Sequence, residues 1–154
     1  MIRPVRVARV GRMPSPQDYA GDVTPQDAYA AVRDDPHALL VDVRTAAEWS
    51  YVGTPDLSDA GKRAVLVEWQ RYPSGEVNER FVEDLRSAAD VGEGTPLYFL
   101  CRSGVRSKAA AAAVTAAGLG PAYNILEGFE GPHDDEGHRT VAGWKVAGLP
   151  WRQG

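Results

Sequence analysis

The residues most capable of chemistry lie together in one short stretch, CRSGVRS, at positions 101–107. It contains Cys101, the chain's single cysteine, between an apolar run (LYFL) and an alanine-rich segment that predicts a strong helix. The thiolate is the reactive form of cysteine. A helix N-terminus stabilises a thiolate, and so do permanent charges such as those of Arg102 and Arg106. The stretch therefore predicts a reactive thiol where a strand meets a helix.

The backbone after the cysteine is expected to form an anion-binding loop. Gly104 lets the chain curl so that successive N–H groups point into one nest. Such a nest can hold an anionic substrate or the charge on a transferred group. The predicted substrate-binding residues are Arg102, Ser103, Gly104, Val105 and Arg106. Ser107 is predicted to support the loop or to cap the helix. An outward-facing Arg106 stays an alternative, and so does a purely structural cysteine, although the full combination of features disfavours the latter.

The composition limits the classes of protein to which this chain can belong. A chain of 154 residues with 44% hydrophobic residues and a net charge of −4 is typical of one soluble domain. The charge disfavours nucleic-acid and membrane surfaces as partners, and no apolar run approaches the roughly 20 residues of a membrane span. The N-terminus lacks the features of a secretory signal. One cysteine fits a reducing compartment, so we expect a cytoplasmic location.

Hydrophobic patterning and capping signals predict alternating strands and helices. The predicted strands are residues 5–10, 38–43, 64–67, 97–100 and 122–125. The predicted helices are a first from Pro25 to about Asp34, one starting at Thr45, residues 77–89, the alanine-rich segment up to Gly118, and a short piece at 140–147. A turn is expected at 92–94. This order indicates an α/β domain with a mostly parallel sheet, in which ligands bind beyond the carboxyl ends of the strands.

Several motifs together resemble the rhodanese family of sulfurtransferases. The CRSGVRS stretch resembles that family's active-site loop. Three further segments match family motifs: LVDVR at 40–44 followed by Glu48, Trp49 and Gly53; NILEGF at 124–129; and GWKVAGLP at 143–150. The resemblance implies a three-layer α/β fold, with a five-stranded parallel sheet flanked by helices. It assigns residues 23–154 to a rhodanese-like domain and leaves residues 1–22 loosely specified.

The resemblance also implies a chemistry. Cys101 would take sulfane sulfur from a small anionic donor such as thiosulfate, form a persulfide, and pass the sulfur to a thiol, to cyanide or to an accepting protein. Arg102, directly after the cysteine, favours thiosulfate. No cofactor or metal is implied. The chain departs from the usual family pattern at Thr54-Pro55 and at Glu127, which affects the choice of subfamily.

Two other functions remain open at this stage. One is a sulfur-relay or regulatory module that acts with a protein partner. The other is phosphatase or arsenate reductase chemistry, which the same fold also carries. Phosphatase loops place five residues between cysteine and arginine, whereas four separate Cys101 from Arg106 here. The tighter loop favours a single sulfur atom over a tetrahedral phosphate.

Further polar residues near the predicted strand ends have structural interpretations. Asp42 and Arg44 are predicted to tie a strand end to its neighbours, in support of the site. The residues of the segment 133–138, HDDEGH, include metal-capable types, but a polar loop has the same composition, so no metal site is predicted. The segment 69–72 is a candidate wall for the pocket.

Overall fold

The computed structural model describes residues 19–71, 74–101, 105–126, 128–129, 144–145 and 147–152. The predicted strand at 5–10, the HDDEGH segment and most of the predicted helix at 140–147 lie outside these ranges. Seven strands are described: β1 Gly21–Val23, β2 Leu39–Asp42, β3 Thr54–Pro55, β4 Val65–Leu66, β5 Glu93–Leu100, β6 Gly120–Ile125 and β7 Trp151–Arg152. The described α-helices are α1 Pro25–Asp34, α2 Ala46–Tyr51, α3 Phe81–Ala88 and α4 Val105–Ala116, and a 3-10 turn spans Ser58–Ala60.

Five strands form a parallel sheet in the order β1-β6-β5-β2-β4. In the register, Leu100 of β5 lies beside Asp42 of β2, and Phe99 lies beside Asn124 of β6. The carboxyl ends of the central strands therefore meet at one edge. The predicted five-stranded parallel sheet is confirmed. A separate antiparallel ribbon pairs β3 with β7.

Helices cover both faces of this sheet. Alternate residues of β5 point to opposite sides, as the strand period requires. Leu97 and Phe99 belong to a core cluster shared with α3 and α4, whereas Leu100 belongs to a second cluster shared with α1 and Trp144. Each large apolar side chain buried in this way contributes about 1.5–3 kcal/mol. The three-layer architecture is thus confirmed, and Cys101 follows the alternation into the first cluster.

Local sequence signals start the first two helices where they were predicted. The Thr24 side chain accepts a hydrogen bond from the backbone N–H of Asp27, and Pro25 occupies the first helical position. Thr45 and Glu48 form a complete capping box at the start of α2. Each cap satisfies backbone N–H groups that have no partner within the helix.

The largest differences from the predicted element boundaries are at the starts of α3 and β5. Helix α3 begins at Phe81, four residues later than predicted, because Val77 pairs with Gln70 across a β-bridge. The side chain of Asn78 then donates hydrogen bonds to the Glu68 carbonyl and the Asp84 carboxylate, which holds this segment as a loop. The predicted turn at 92–94 is also wrong in part, because β5 already begins at Glu93, with a register shift before Leu97.

Candidate functional site

Cys101 directly follows β5, the middle strand of the sheet, at its carboxyl end. Its residue exposure is 1%, so its thiol is buried. The backbone N–H of Phe129 donates to the Cys101 carbonyl at 2.7 Å, which fixes the strand end against the segment after β6. The predicted location of the thiol, between a strand and a helix, is therefore what the structure shows.

Helix α4 places Ser107 beside this thiol. Ser107 Oγ lies 3.3 Å from Cys101 Sγ, within hydrogen-bond distance for sulfur, and Ser107 is fully buried. Its hydroxyl also donates to Oδ1 of Asn124 on β6. Residues 102–104 and the side chain of Val105 lie outside the described part of the chain. The anion-binding nest and the roles of Arg102, Ser103, Gly104 and Val105 stay predictions.

Arg106 is held by Glu48 in a two-pronged ion pair. Nη1 lies 2.7 Å from Oε1 and Nη2 lies 2.9 Å from Oε2, and both side chains are 19% exposed. The hydrogen bonds that Arg106 donates to Glu48 raise the pKa of Arg106 despite its burial, and the nearby Cys101 and Asp42 add to the rise. Burial alone would raise the pKa of Glu48, but Arg106 and Thr45 lower it overall. A fixed cation thus sits within electrostatic range of the thiol, and its contact with substrate stays a prediction.

The Glu48–Arg106 pair is expected to stabilise the fold as well as to fix this cation. The Glu48→Gln variant keeps the capping-box acceptor but loses the charge, so the free energy of unfolding at neutral pH should fall by about 1–3 kcal/mol. Urea denaturation measures the change. The exposed Arg80–Glu83 pair provides a matched control, since Glu83→Gln should leave the denaturation midpoint unchanged.

The same stabilisation should depend on pH with a defined sign. The pKa of Glu48 is lowered in the folded state, so its contribution is complete above the ordinary carboxyl value of about 4.3 and is lost as pH falls through the folded value. The stability difference between the parent and Glu48→Gln should therefore shrink in acid. A difference that stays constant there would contradict this assignment.

Asp42 and Arg44 form a second, completely buried ion pair at the end of β2. Arg44 Nη2 lies 2.6 Å from an Asp42 carboxylate oxygen and also donates to the Gly53 carbonyl at 2.6 Å. The guanidinium carbon stands 4.2 Å from the ring centre of Phe129. The pair thus links β2, the chain before β3 and the segment after β6. It ties the strand end to its neighbours, as was predicted.

Two residues outside the predicted site, Glu48 and Asn124, make contacts at the site that only the structure reveals. Glu48 was recognised as a helix-cap residue, but its pairing with Arg106 joins positions 58 apart, and no local pattern signals this. Asn124 was noted only within a family motif. Its contact with Ser107 depends on how α4 packs against β6.

The aromatic side chains noted in the sequence serve mainly to pack the domain. Trp69 packs edge-on against Phe81, with ring centres 5.2 Å apart. Trp144 is fully buried and donates its indole N–H to the Pro150 carbonyl at 2.7 Å. Trp151 is 38% exposed and lies 3.9 Å from the Lys145 ammonium. The Trp144 ring centre lies 5.8 Å from that of Tyr29 on α1, and the Trp151 ring centre lies 6.1 Å from that of Phe129, so both attach the C-terminal segment to the domain.

Within the described ranges, no group of three or more His, Cys, Asp or Glu side chains is arranged to hold a metal ion. Among the same residues, no helix combines the length and the apolar character that crossing a bilayer requires.

Helices cover both faces of the parallel sheet, and a cysteine lies between its central strand and the next helix. These features define a class of α/β proteins that place a thiol at the carboxyl edge of the sheet. The family model described as the STR4 middle domain matches residues 20–154. A chloroplastic protein of Arabidopsis thaliana, named rhodanese-like domain-containing protein 4, is 32% identical over 126 residues, which are 82% of this chain and 24% of that protein. The chain belongs to the rhodanese-like family.

The chain is also similar to three further proteins. An uncharacterized protein of Rickettsia conorii is 38% identical over 125 residues, covering 81% of this chain and 91% of that one. The crystal structure of Rv0390 from M. tuberculosis superposes with a TM-score of 0.82 at 52% identity, covering 88% of this chain and 99% of that one. The polysulfide-sulfur transferase of Wolinella succinogenes shares the fold, with a TM-score of 0.62 at 20% identity over 90% of this chain and 82% of that one.

Proposed function

We propose that this protein is a sulfurtransferase that carries sulfane sulfur as a persulfide on Cys101. The observation that carries the proposal is the position of the thiol, buried at the carboxyl end of the central strand and in contact with Ser107 of α4. Membership of the rhodanese-like family supports the same chemistry.

The proposed reaction has two displacement steps. The Cys101 thiolate attacks the outer sulfur of thiosulfate and forms a new sulfur–sulfur bond, while the old bond breaks and its electron pair leaves with sulfite. An acceptor then attacks the outer sulfur of the persulfide. With cyanide as acceptor, thiocyanate forms and the Cys101 thiolate is regenerated.

The environment of Cys101 suits a persulfide intermediate. Burial keeps bulk water from the outer sulfur, and electrostatic interactions are stronger in such a site than in water. The guanidinium of Arg106 supplies positive charge within range of the sulfur. Thiosulfate is the proposed donor because Arg102 follows the cysteine directly and because the loop between Cys101 and Arg106 is short. We also propose a cytoplasmic location, where a lone thiol stays reduced.

A second candidate function is a sulfur-relay module that passes the persulfide sulfur to a partner protein. The chain has no second cysteine to take the sulfur from Cys101, so the acceptor must be external. Leu126 directly follows the carboxyl end of β6 and is 36% exposed. This exposed apolar side chain, at the edge that holds the thiol, is where we propose that such a partner makes contact.

A panel of substrates separates these functions. We expect steady thiocyanate formation from thiosulfate and cyanide, and no hydrolysis of p-nitrophenyl phosphate or reduction of arsenate. Formation of the persulfide without turnover to cyanide or small thiols would instead support the relay function. Phosphate-ester hydrolysis that requires Cys101 would overturn the proposal in favour of phosphatase chemistry.

A further inference from the structure

A chain of hydrogen bonds runs from the buried thiol to Asp22, an exposed residue on the edge strand β1 of the sheet. Cys101 contacts Ser107, the Ser107 hydroxyl donates to Oδ1 of Asn124, and Nδ2 of Asn124 donates to Asp22 Oδ1 at 2.9 Å. The Tyr19 hydroxyl donates to the same Asp22 oxygen at 2.8 Å. Ser107 and Asn124 are both fully buried. No element of the proposed two-step reaction uses Asn124, Asp22 or Tyr19.

The chemistry of these groups fixes which partner donates in each hydrogen bond of this network. An ionised carboxylate only accepts hydrogen bonds, so Asp22 requires the amide nitrogen of Asn124 on its side. The amide oxygen of Asn124 must then face Ser107. Tyr19 also donates to Asp22, and burial together with this hydrogen bond raises the pKa of Tyr19 to about 12, so its proton stays in place. The orientation of Asn124 is thereby fixed from β1.

The fixed orientation of Asn124 determines whether the Ser107 hydroxyl presents its hydrogen or a lone pair to the sulfur. A serine hydroxyl has one hydrogen, and here that hydrogen is directed to Asn124 Oδ1. Ser107 therefore presents a lone pair to Cys101 Sγ, which suits a thiol that donates its S–H. To donate to a thiolate, the hydroxyl would have to turn away and leave the buried Asn124 oxygen unpaired, which is unfavourable.

We propose that Asn124 is a positioning residue that acts on Cys101 through Ser107, by keeping the Ser107 hydroxyl from donating a hydrogen bond to the sulfur. The inference rests on the proposed use of Cys101 as nucleophile, but its test measures the thiol alone and needs no sulfur transfer.

The charged groups around Cys101 come from several elements. Arg106 lies on α4, its partner Glu48 lies on α2, and Asp42 and Arg44 lie at the end of β2. The variants described next leave all of these unchanged. Their electrostatic effects on the thiol therefore cancel when variants are compared with the parent.

The test is the pH profile of alkylation of Cys101 by iodoacetamide. Asn124→Leu removes the acceptor, so the Ser107 hydroxyl can donate to the sulfur. We expect the profile to move by about one pH unit toward lower pH, which gives about tenfold faster alkylation below the midpoint. The same substitution in a Ser107→Ala background should shift nothing. An unchanged profile in Asn124→Leu, or an equal shift in both backgrounds, would overturn the proposal.

A matched variant and a second measurement separate this effect from damage to the fold. Asn78 is 3% exposed, and its side chain donates hydrogen bonds to Glu68 and Asp84, so Asn78→Leu should lower stability without moving the alkylation profile. If Asn124→Leu does not fold, infrared spectroscopy still tests the S–H···Ser107 contact, because the single cysteine gives one S–H band. Ser107→Ala should move that band to higher frequency, and an unmoved band would contradict the proposal.

Discussion

Replacing Cys101 with serine is expected to reduce thiocyanate formation from thiosulfate and cyanide by roughly a thousandfold or more. A serine oxygen cannot form the persulfide that links the two displacement steps, and the chain has no other cysteine that could replace it. A steady-state assay measures the loss.

The cysteine variant should remain folded, because the new serine hydroxyl can hydrogen-bond to Ser107 as the thiol does. Circular dichroism and the urea midpoint should stay close to those of the parent. Substantial thiocyanate formation by a folded Cys101→Ser protein would contradict covalent catalysis at this position.

The largest expected effect on stability belongs to the buried pair of Asp42 and Arg44. Asp42→Asn keeps the shape of the side chain but leaves the fully buried guanidinium without its counter-charge. Removing one partner of a buried pair costs about 3–5 kcal/mol, so the free energy of unfolding should fall by that amount. Urea denaturation with an unchanged slope would show that the native state is what changed.

Two further variants test the physical reason for this effect. In a double variant, Asp42→Leu with Arg44→Met, no buried charge remains, and much of the lost stability should return. The exposed pair Arg33–Asp34 serves as the control, since Asp34→Asn should leave the midpoint unchanged. If the double variant is as unstable as Asp42→Asn, an unpaired charge is not the cause.

The sequence was sufficient to predict the strands and helices that have a clear local pattern. Residues 38–43 and 97–100 are short apolar runs; the first contains β2, and the second forms the end of β5. The N-cap at Thr24 and the capping box at Thr45 placed two helices correctly, because caps act through hydrogen bonds a few residues away. These patterns, together with the family motifs, predicted the parallel sheet and the place of Cys101.

The elements that escaped prediction depend on distant contacts. Strand β1 is three residues long, GDV, with no alternation to identify it, and it exists because it pairs with β6 about a hundred positions later. The same holds for the ribbon between β3 and β7. Short strands of this kind have too little local preference to be recognised without their partners.

The candidate site divides in the same way. The thiol, its strand and its helix could be predicted from one contiguous stretch. The Glu48–Arg106 pair and the chain from Ser107 through Asn124 to Asp22 could not, because each joins side chains on different elements. These contacts determine the orientation of the charged and polar groups around the sulfur.

The most direct test of the account is the mass of the intact protein after incubation with thiosulfate and removal of the excess. We predict a gain of one sulfur atom, located on the peptide that contains Cys101, reversed by cyanide with release of thiocyanate, and absent from Cys101→Ser. No gain in mass, or a gain that persists in Cys101→Ser, would contradict the proposed persulfide chemistry.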